Sequence, residues 1–371
     1  MNTAIVILNW NTVDYLRKFL PPLIESVKGL DAEVIVADSA STDGSMEMMA
    51  SEFPEIRRIC LDRNYGFTGG YNRALSQVDA DLYVLLNSDI EVSKGWLRPL
   101  METMEKEPGL GACAPKLHSL RERDMFEYAG AAGGMLDCIG LPFCRGRIPG
   151  NVEKDRGQYD SSCGILWVSG ACLMVRRSVF WEMGGLDDRF FAHFEEIDLC
   201  WRMQLAGYSV KVIPESTVWH IGGGTLPSSS PRKLKFNFRN NLLMLQNNLA
   251  LTLAHHKAGE DNMKEDTARK IAVKACRKAK RLIFYRMTVD GLAAAAYLAR
   301  LDTASFKAVI AAHMEFRSLG RNTVPEEVSR HLLSHPGVKV RGLYRKSIVL
   351  QTLLHGKNTA GKIDWNDQYF K

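Results

Sequence analysis

Four short apolar runs, each followed by a polar or glycine-bearing turn, set the limits on how this chain can fold. They are Ala4-Ile-Val-Ile-Leu8, Glu33-Val-Ile-Val-Ala-Asp38, Arg58–Leu61 and Leu82-Tyr-Val-Leu-Leu86. A run with no charge inside it fits a strand buried on both faces, as in a parallel sheet covered by helices. Between the runs, Val13–Val27, Ser45–Phe53 and Gly70–Val78 read as helices. Pro21 and Pro22 are expected to break the first, and Asp43-Gly44 to form the turn before the second. This pace of alternation implies βαβ units and an open, mostly parallel α/β sheet flanked by helices.

The later chain changes character. Gly130–Gly150 is glycine-rich without a period and is expected to form loops or a hairpin over the active face. Trp167–Val175 and Val210–Ile213 read as strands, and Arg177–Met183 and Glu195–Ala206 as helices. Gly222–Thr225 and Ser228–Pro231 suggest a flexible junction. From Lys233 the chain reads as almost all helix. With 371 residues, two regions are expected, 1–231 and 232–371.

Charge divides the same way. Residues 1–231 hold 22 Lys and Arg against 31 Asp and Glu, a net of −9; residues 232–371 hold 26 against 11, a net of +15. The two parts are expected to meet different partners. No uncharged apolar stretch approaches the roughly 20 residues of a spanning helix, and the chain opens without a signal-peptide pattern. A cytosolic protein with eight buried free cysteines, none in a CxxC pair, is the expectation.

Open parallel sheets bind ligands beyond the carboxyl ends of their strands. Four polar clusters sit at those places: Asn9 and Asn11; Asp38 to Ser45; Asn64, Gly66 and Asn72; and Asn87, Ser88 and Asp89. Each alone is turn chemistry, but four on successive strand ends suggest one ligand site. No GxGxxG follows the first run, and no GxxxxGK[ST] occurs. These absences argue against a Rossmann dinucleotide-binding enzyme and exclude a P-loop NTPase.

The strings VILNWN, VIVADSASTDGS, RNYGFTGGYNRA, YVLLNSDIEV, WVSGACLMVRR and GGLDDRFFAHFEEIDLCWRMQLAGYSVKVIPESTVWHIGG resemble the family 2 inverting glycosyltransferases, in particular their rhamnosyltransferase-like bacterial branch. The resemblance covers about Ile5 to Gly224. It implies a GT-A-type domain that moves a sugar from a nucleotide diphosphate to a hydroxyl with inversion. By that resemblance Asp38 contacts the pyrimidine of a UDP- or dTDP-sugar, and Asn9, Asn11, Asn64, Gly66, Asn72, Asn87 and Ser88 help to hold the donor. Asn87-Ser88-Asp89 is similar to the metal-binding DxD motif, with Asp89 the carboxylate ligand of Mg²⁺ or Mn²⁺. His220 is a further metal or diphosphate contact. Glu196, the second acid of the Glu195-Glu196 pair, corresponds to the catalytic base, while Trp167, Gly170, Glu195 and Trp201 shape the acceptor side. The chain departs from the pattern at Ser39 (Asn in the family), Asn87 (Asp) and Glu196 (Asp). Those departures keep open a non-catalytic nucleotide-sugar-binding partner in a glycan pathway.

Between Thr267 and Val289 lie eight Lys and Arg residues and no acid, interleaved with Ile271, Leu282, Phe284 and Tyr285. This suits a basic amphipathic helix on an anionic membrane surface. Packing on the catalytic domain is the alternative, and no nucleic-acid-binding motif accompanies the charge. Relatives that extend glycans on polyprenyl diphosphate carriers imply a glycan or lipid-linked acceptor and a peripheral position at the cytoplasmic face of the inner membrane.

Overall fold

The computed structural model describes residues 1–222, 230–258, 263–356 and 359–363. Strand and helix alternate as expected at the start: β1 (Thr3–Asn9), α1 (Val13–Ser26), β2 (Ala32–Asp38), α2 (Ser45–Glu52), β3 (Arg57–Cys60), α3 (Gly66–Leu75) and β4 (Leu82–Leu86). Next come β5 (Ile90–Val92), α4 (Leu97–Lys106) and β6 (Leu110–Ser119). The glycine-rich middle forms four short strands, β7 (Gly134–Leu136), β8 (Pro142–Cys144), β9 (Arg147–Ile148) and β10 (Asn151–Val152), paired in an antiparallel sheet of their own. Then β11 (Cys163–Gly164), β12 (Cys172–Arg176), α5 (Arg177–Glu182), α6 (Glu195–Leu205) and β13 (Ser209–His220) complete the front part. The back is helical: α7 (Pro231–His255), α8 (Glu265–Ala299), α9 (Thr303–Leu319), α10 (Pro325–Ser334) and α11 (Ile348–His355).

The main sheet runs β11-β13-β6-β12-β4-β1-β2-β3, with β5 also paired to β13. β1 is parallel to β2 and β4, and β2 to β3; β12 enters antiparallel between β4 and β6. The central strands are buried on both faces. Ile5 and Ile7 pack with Leu16, Leu20 and Leu97 on one side, while Ala4 and Val6 pack with Tyr71, Leu75 and Phe180 on the other. This double burial is why the runs are apolar at every position and do not alternate.

Several expectations change. α1 runs unbroken through Pro21 and Pro22. Both prolines, and Arg17 and Lys18 whose carbonyls lose a donor, are exposed, while Leu16, Phe19, Leu20 and Leu23 anchor the buried face. Trp167 precedes its strand, which begins at Cys172. The last strand extends to His220 because a bulge between Ile213 and Thr217 absorbs Pro214. All eight cysteines are free, but Cys60 is exposed and Cys138 and Cys163 are only half-buried. Most of the expected junction lies outside the described residues. The helical region shares the core of the front part: Leu242 to Leu245 of α7 belong to the same cluster as Phe190 and Trp201. By length and composition α8 is also long and apolar enough to cross a membrane, which the search for an uncharged run did not reveal.

Candidate active site

The ends of β1, β2 and β4 bring the polar clusters together as their parallel register requires. Asn9 is fully buried, and its Nδ2 donates to Asp38 Oδ1 at 2.7 Å and Ser41 Oγ at 3.0 Å. Asp38 also accepts from the Ser41 backbone N–H at 2.9 Å and from Ser41 Oγ at 2.6 Å. Asn9 therefore organises the Asp38 carboxylate. Asn11, with φ +55°, accepts from the Thr42 N–H at 2.8 Å and ties the first loop to the second. Asp43 accepts from Val13 N at 2.8 Å and from Ser45, and these hydrogen bonds lower its pKa against the opposing effect of burial. It is a turn and helix-entry residue, as its sequence context suggests.

Just before α3, Asn64 Oδ1 accepts from the Gly66 N–H at 2.7 Å. A Cβ on Gly66 would lie 2.5 Å from the Phe191 carbonyl oxygen, and its φ is +72°. Glycine is required there for close approach. Asn72 is spent elsewhere: its amide donates to Leu186 O at 2.7 Å and Asp188 Oδ1 at 2.9 Å and accepts from Leu186 N at 3.0 Å. Its position corrects the expectation that it faces a donor.

β4 carries Asn87, Ser88 and Asp89 to the sheet edge. The Asn87 N–H donates to Ala171 O at 2.9 Å, and Ser88 Oγ accepts from Thr12 Oγ1 at 2.9 Å. The pairing of His220 with Ile90 across β13 and β5 sets the imidazole beside Asp89. His220 Nε2 lies 3.1 Å from Asp89 Oδ1, and Nδ1 lies 3.5 Å from Glu127 Oε1. Burial alone would push His220 down, but Asp89 and Glu127 hold it up to about 10. Glu127 was not singled out by the sequence reading. Among the described residues no three His, Cys, Asp or Glu are placed to enclose a metal. A cation would have to displace the proton that Asp89 and Glu127 hold on His220; with that proton gone, Asp89 and the neutral imidazole offer donor types that suit Mg²⁺ or Mn²⁺ when phosphate oxygens and water complete the shell.

Glu195 and Glu196 open α6. Glu195 is buried; Glu196 lies beside Gly170, whose added Cβ would be 3.7 Å from the Glu196 Cβ and 3.4 Å from the Phe67 ring. Since Gly170 adjoins Ala171, the partner of Asn87, the acid pair shares the sheet end with the Asp89 cluster. Burial raises both carboxyls. Glu195 goes well above its ordinary value, pushed further by Glu196, while Glu196 reaches about 7. One oxygen of each, Oε2, is buried with no hydrogen-bond partner. A largely buried carboxyl with one oxygen unpartnered, poised near neutrality beside a second raised acid, is suited to accept a proton. Asp198, by contrast, is fully buried and accepts from Arg202 Nε, Asn247 Nδ2 and Asn248 Nδ2, each at 2.8 Å. It fastens α6 to α7.

The two tryptophans are corrected. Trp167 is core: its Nε1 donates to Met135 O at 3.0 Å, and a Cβ on Gly134 would meet its ring at 2.0 Å. Trp201 is buried at the α6–α7 contact and donates to Thr252 Oγ1 at 2.9 Å. Of the acceptor-side set, Gly170 and Glu195 stand beside Glu196.

The turn that delivers the acid pair is unusual. Phe191, His193 and Phe194 have φ of +63°, +71° and +73°. Each such residue costs on the order of 1–3 kcal/mol unless its surroundings fix it. Asn240 of α7 fixes this one. Its Nδ2 points at the carbonyls of Phe190 at 3.0 Å and of Ala192 and His193 at 2.7 Å. Arg239 Nη2 donates to Phe190 O at 2.7 Å, and from the other side Phe67 N donates to Phe191 O at 2.7 Å. Sequence reasoning missed Asn240. The only signal was the polar run Arg239-Asn240-Asn241 within an otherwise apolar helix face.

An open, mostly parallel sheet flanked by helices, with acidic and imidazole groups at its carboxyl edge, is a GT-A-type fold. Residues 4–184, just under half of the chain, match the family described as Glycosyl transferase family 2. It is 28% identical over 234 residues to the N-acetylglucosaminyl-diphospho-decaprenol L-rhamnosyltransferase of Mycobacterium tuberculosis, covering 58% of this chain and 75% of that protein. It is 27% identical over 211 residues to the O-antigen biosynthesis protein RfbC of Myxococcus xanthus, covering 56% of this chain and 16% of that protein. In structure it resembles GalNAc-T7, solved with UDP, GalNAc and Mn²⁺: TM-score 0.53, 17% identity, 66% of this chain and 48% of that chain. That likeness concerns the fold.

Proposed function

We propose that this chain transfers a sugar, with inversion, from a UDP- or dTDP-sugar to a hydroxyl of a glycan or polyprenyl-diphosphate-linked acceptor in cell-surface polysaccharide synthesis. The observation that carries the reading is the Glu196 carboxyl, raised to about 7 and lacking a hydrogen-bond partner on Oε2, at the same sheet end as Asp89. Glu196 takes the acceptor hydroxyl proton as that oxygen bonds to the anomeric carbon. The bond from that carbon to the diphosphate breaks, and the nucleoside diphosphate leaves with the electron pair. A divalent cation held by Asp89 and His220 would neutralise the charge growing on the diphosphate. Asp38, steadied by Asn9 and Ser41, contacts the pyrimidine, and Asn11, Asn64, Gly66, Asn87 and Ser88 shape its surroundings. The name of the mycobacterial relative supports a lipid-diphosphate acceptor and makes dTDP-rhamnose the first donor to test. With such an acceptor the protein works at the cytoplasmic face of the membrane.

Thermal-shift measurements across sugar nucleotides, with Mn²⁺ and with Mg²⁺, test the donor and metal together. Stabilisation grows as ln(1 + [L]/Kd), about 2.7 kcal/mol at a hundredfold excess over Kd, so the true donor stands out. Asp89→Asn is expected to remove the metal-dependent part of the shift, read against the variant's own unliganded melting temperature, which falls because Asp89 also pairs with the buried His220. An unchanged metal-dependent shift in that variant would remove Asp89 from the site.

A further inference from the structure

The two charges of α8 between Leu282 and Ala299, Arg286 and Asp290, are turned inward. Arg286 Nε donates to Asp290 Oδ1 at 2.8 Å, and its Nη1 donates to the Ile139 carbonyl at 3.2 Å. Arg286 is therefore not part of the exposed basic face that the sequence suggested. What remains outward over those 18 residues, about 27 Å of helix at 1.5 Å per residue, is uncharged. Phe284 is 72% exposed and Leu292 69%; in the α8–α9 turn Leu301 is 85% exposed, and on α9 Met314 is 66%. Tyr285 and Leu298 are exposed with them. Along α8, Phe284, Tyr285 and Leu292 lie on the side opposite the buried Arg286, Asp290 and Ala294, and exposed apolar side chains so placed mark an interaction surface. The preceding turns of α8 expose Lys270, Lys274, Arg277, Lys278, Lys280 and Arg281. None of the six pairs with an acid among the described residues.

We infer that this face docks on an anionic lipid bilayer with α8 tilted. The apolar half of α8 and the α8–α9 turn enter the boundary of the acyl chains, and the Lys270–Arg281 cations stay at the headgroups. Charge complementarity decides for lipid over a second copy of the chain. A two-fold pairing through this face would set one +15 region against another. Crossing the bilayer is disfavoured by the inward face of α8. Ala268, Ala272, Ala275 and Ala279 pack in one cluster with α7 and α10, and the Arg286–Asp290 pair is buried against the front part. The docking is independent of the transferase reading, because it needs neither donor nor acceptor.

Vesicle co-sedimentation of the full chain, without sugar nucleotide, tests it. The unaltered protein is expected to pellet with phosphatidylglycerol vesicles far more than with phosphatidylcholine. Raising salt from about 0.05 M to about 0.5 M should weaken this binding without abolishing it, since screening removes only the electrostatic part. The triple variant Leu292→Asp, Leu301→Asp, Met314→Asp is expected to lose the salt-resistant part, about tenfold or more in partitioning. The variant Arg277→Glu, Lys278→Glu, Lys280→Glu, Arg281→Glu should lose the salt-sensitive part. Both sets are exposed, and unchanged melting temperatures would verify folding. Failure of the unaltered protein to bind phosphatidylglycerol, or triple-variant binding equal to it, overturns the inference. So does a dimer of the unaltered protein that the triple variant splits, because a second copy then covers the face.

Discussion

Glu196→Gln is expected to reduce transfer by about 10²–10⁴ while donor binding survives, because the amide keeps the shape and loses the proton-accepting oxygen. Glu195→Gln should cost far less. Its carboxyl is buried and pushed well above its ordinary value by burial and by Glu196, which disfavours the ionised form that a base needs. The same chemistry fixes a pH profile. Burial raises Glu196 to about 7, so the base is protonated below that value and transfer should climb as pH rises through it. For stability the sign is reversed. A carboxyl raised in the folded state contributes stability fully present below its unfolded value, near 4.5, and lost as pH rises through about 7. The Gln variant should accordingly lose less stability than the unaltered protein between pH 5 and 8, a range set by that shift. Initial rates and melting temperatures over that range check both statements. Near-normal transfer by the Glu196 variant would reassign the base.

Asn240→Leu is expected to damage transfer nearly as much without touching any substrate. The leucine removes the donor that faces three carbonyls of the 190–193 turn. Three left-handed residues then lack the contact that fixes them, and α6 begins directly after them. A shift of roughly 1 Å in a reacting group can cost about 10²-fold. The expected pattern is a fall in kcat of that order with donor affinity retained and the rise of rate with pH blurred or displaced. A merely structural role would lower the melting temperature and leave kcat per folded molecule unchanged. Arg239 adds one carbonyl contact and an ion pair to Glu315 at 2.8 Å, so its loss should act in the same direction.

The two residues show where the sequence was readable. Glu196 could be singled out as a candidate because it sits in a long recognisable string. Asn240 was not, since its partners lie 47 to 50 positions earlier and a backbone carbonyl leaves no trace in the sequence. The fold divides similarly. β1, β2 and β4 announce themselves because both faces are apolar. β6 is nearly as buried but contains Pro115, Lys116 and His118. It reads as a strand only once Asp155 is seen to pair with Lys116 at 2.7 Å and His118 at 2.8 Å. Trp167 and Trp201 are alike in sequence to sugar-stacking residues. Only packing against Gly134 and Thr252 distinguishes them as core. His220 needed β5, three residues long and unseen in the pattern, to reach Asp89.

The most direct measurement is the anomeric configuration of the product. The protein is supplied with Mn²⁺ or Mg²⁺, dTDP-rhamnose and a set of UDP- and dTDP-sugars, and a lipid-diphosphate-linked N-acetylglucosamine acceptor, and the product is read by NMR beside nucleoside diphosphate release. A single base at Glu196 and direct displacement predict a glycoside of configuration opposite to the donor, formed in step with the released diphosphate. A product that keeps the donor configuration, or a protein that binds none of these donors, would contradict the account.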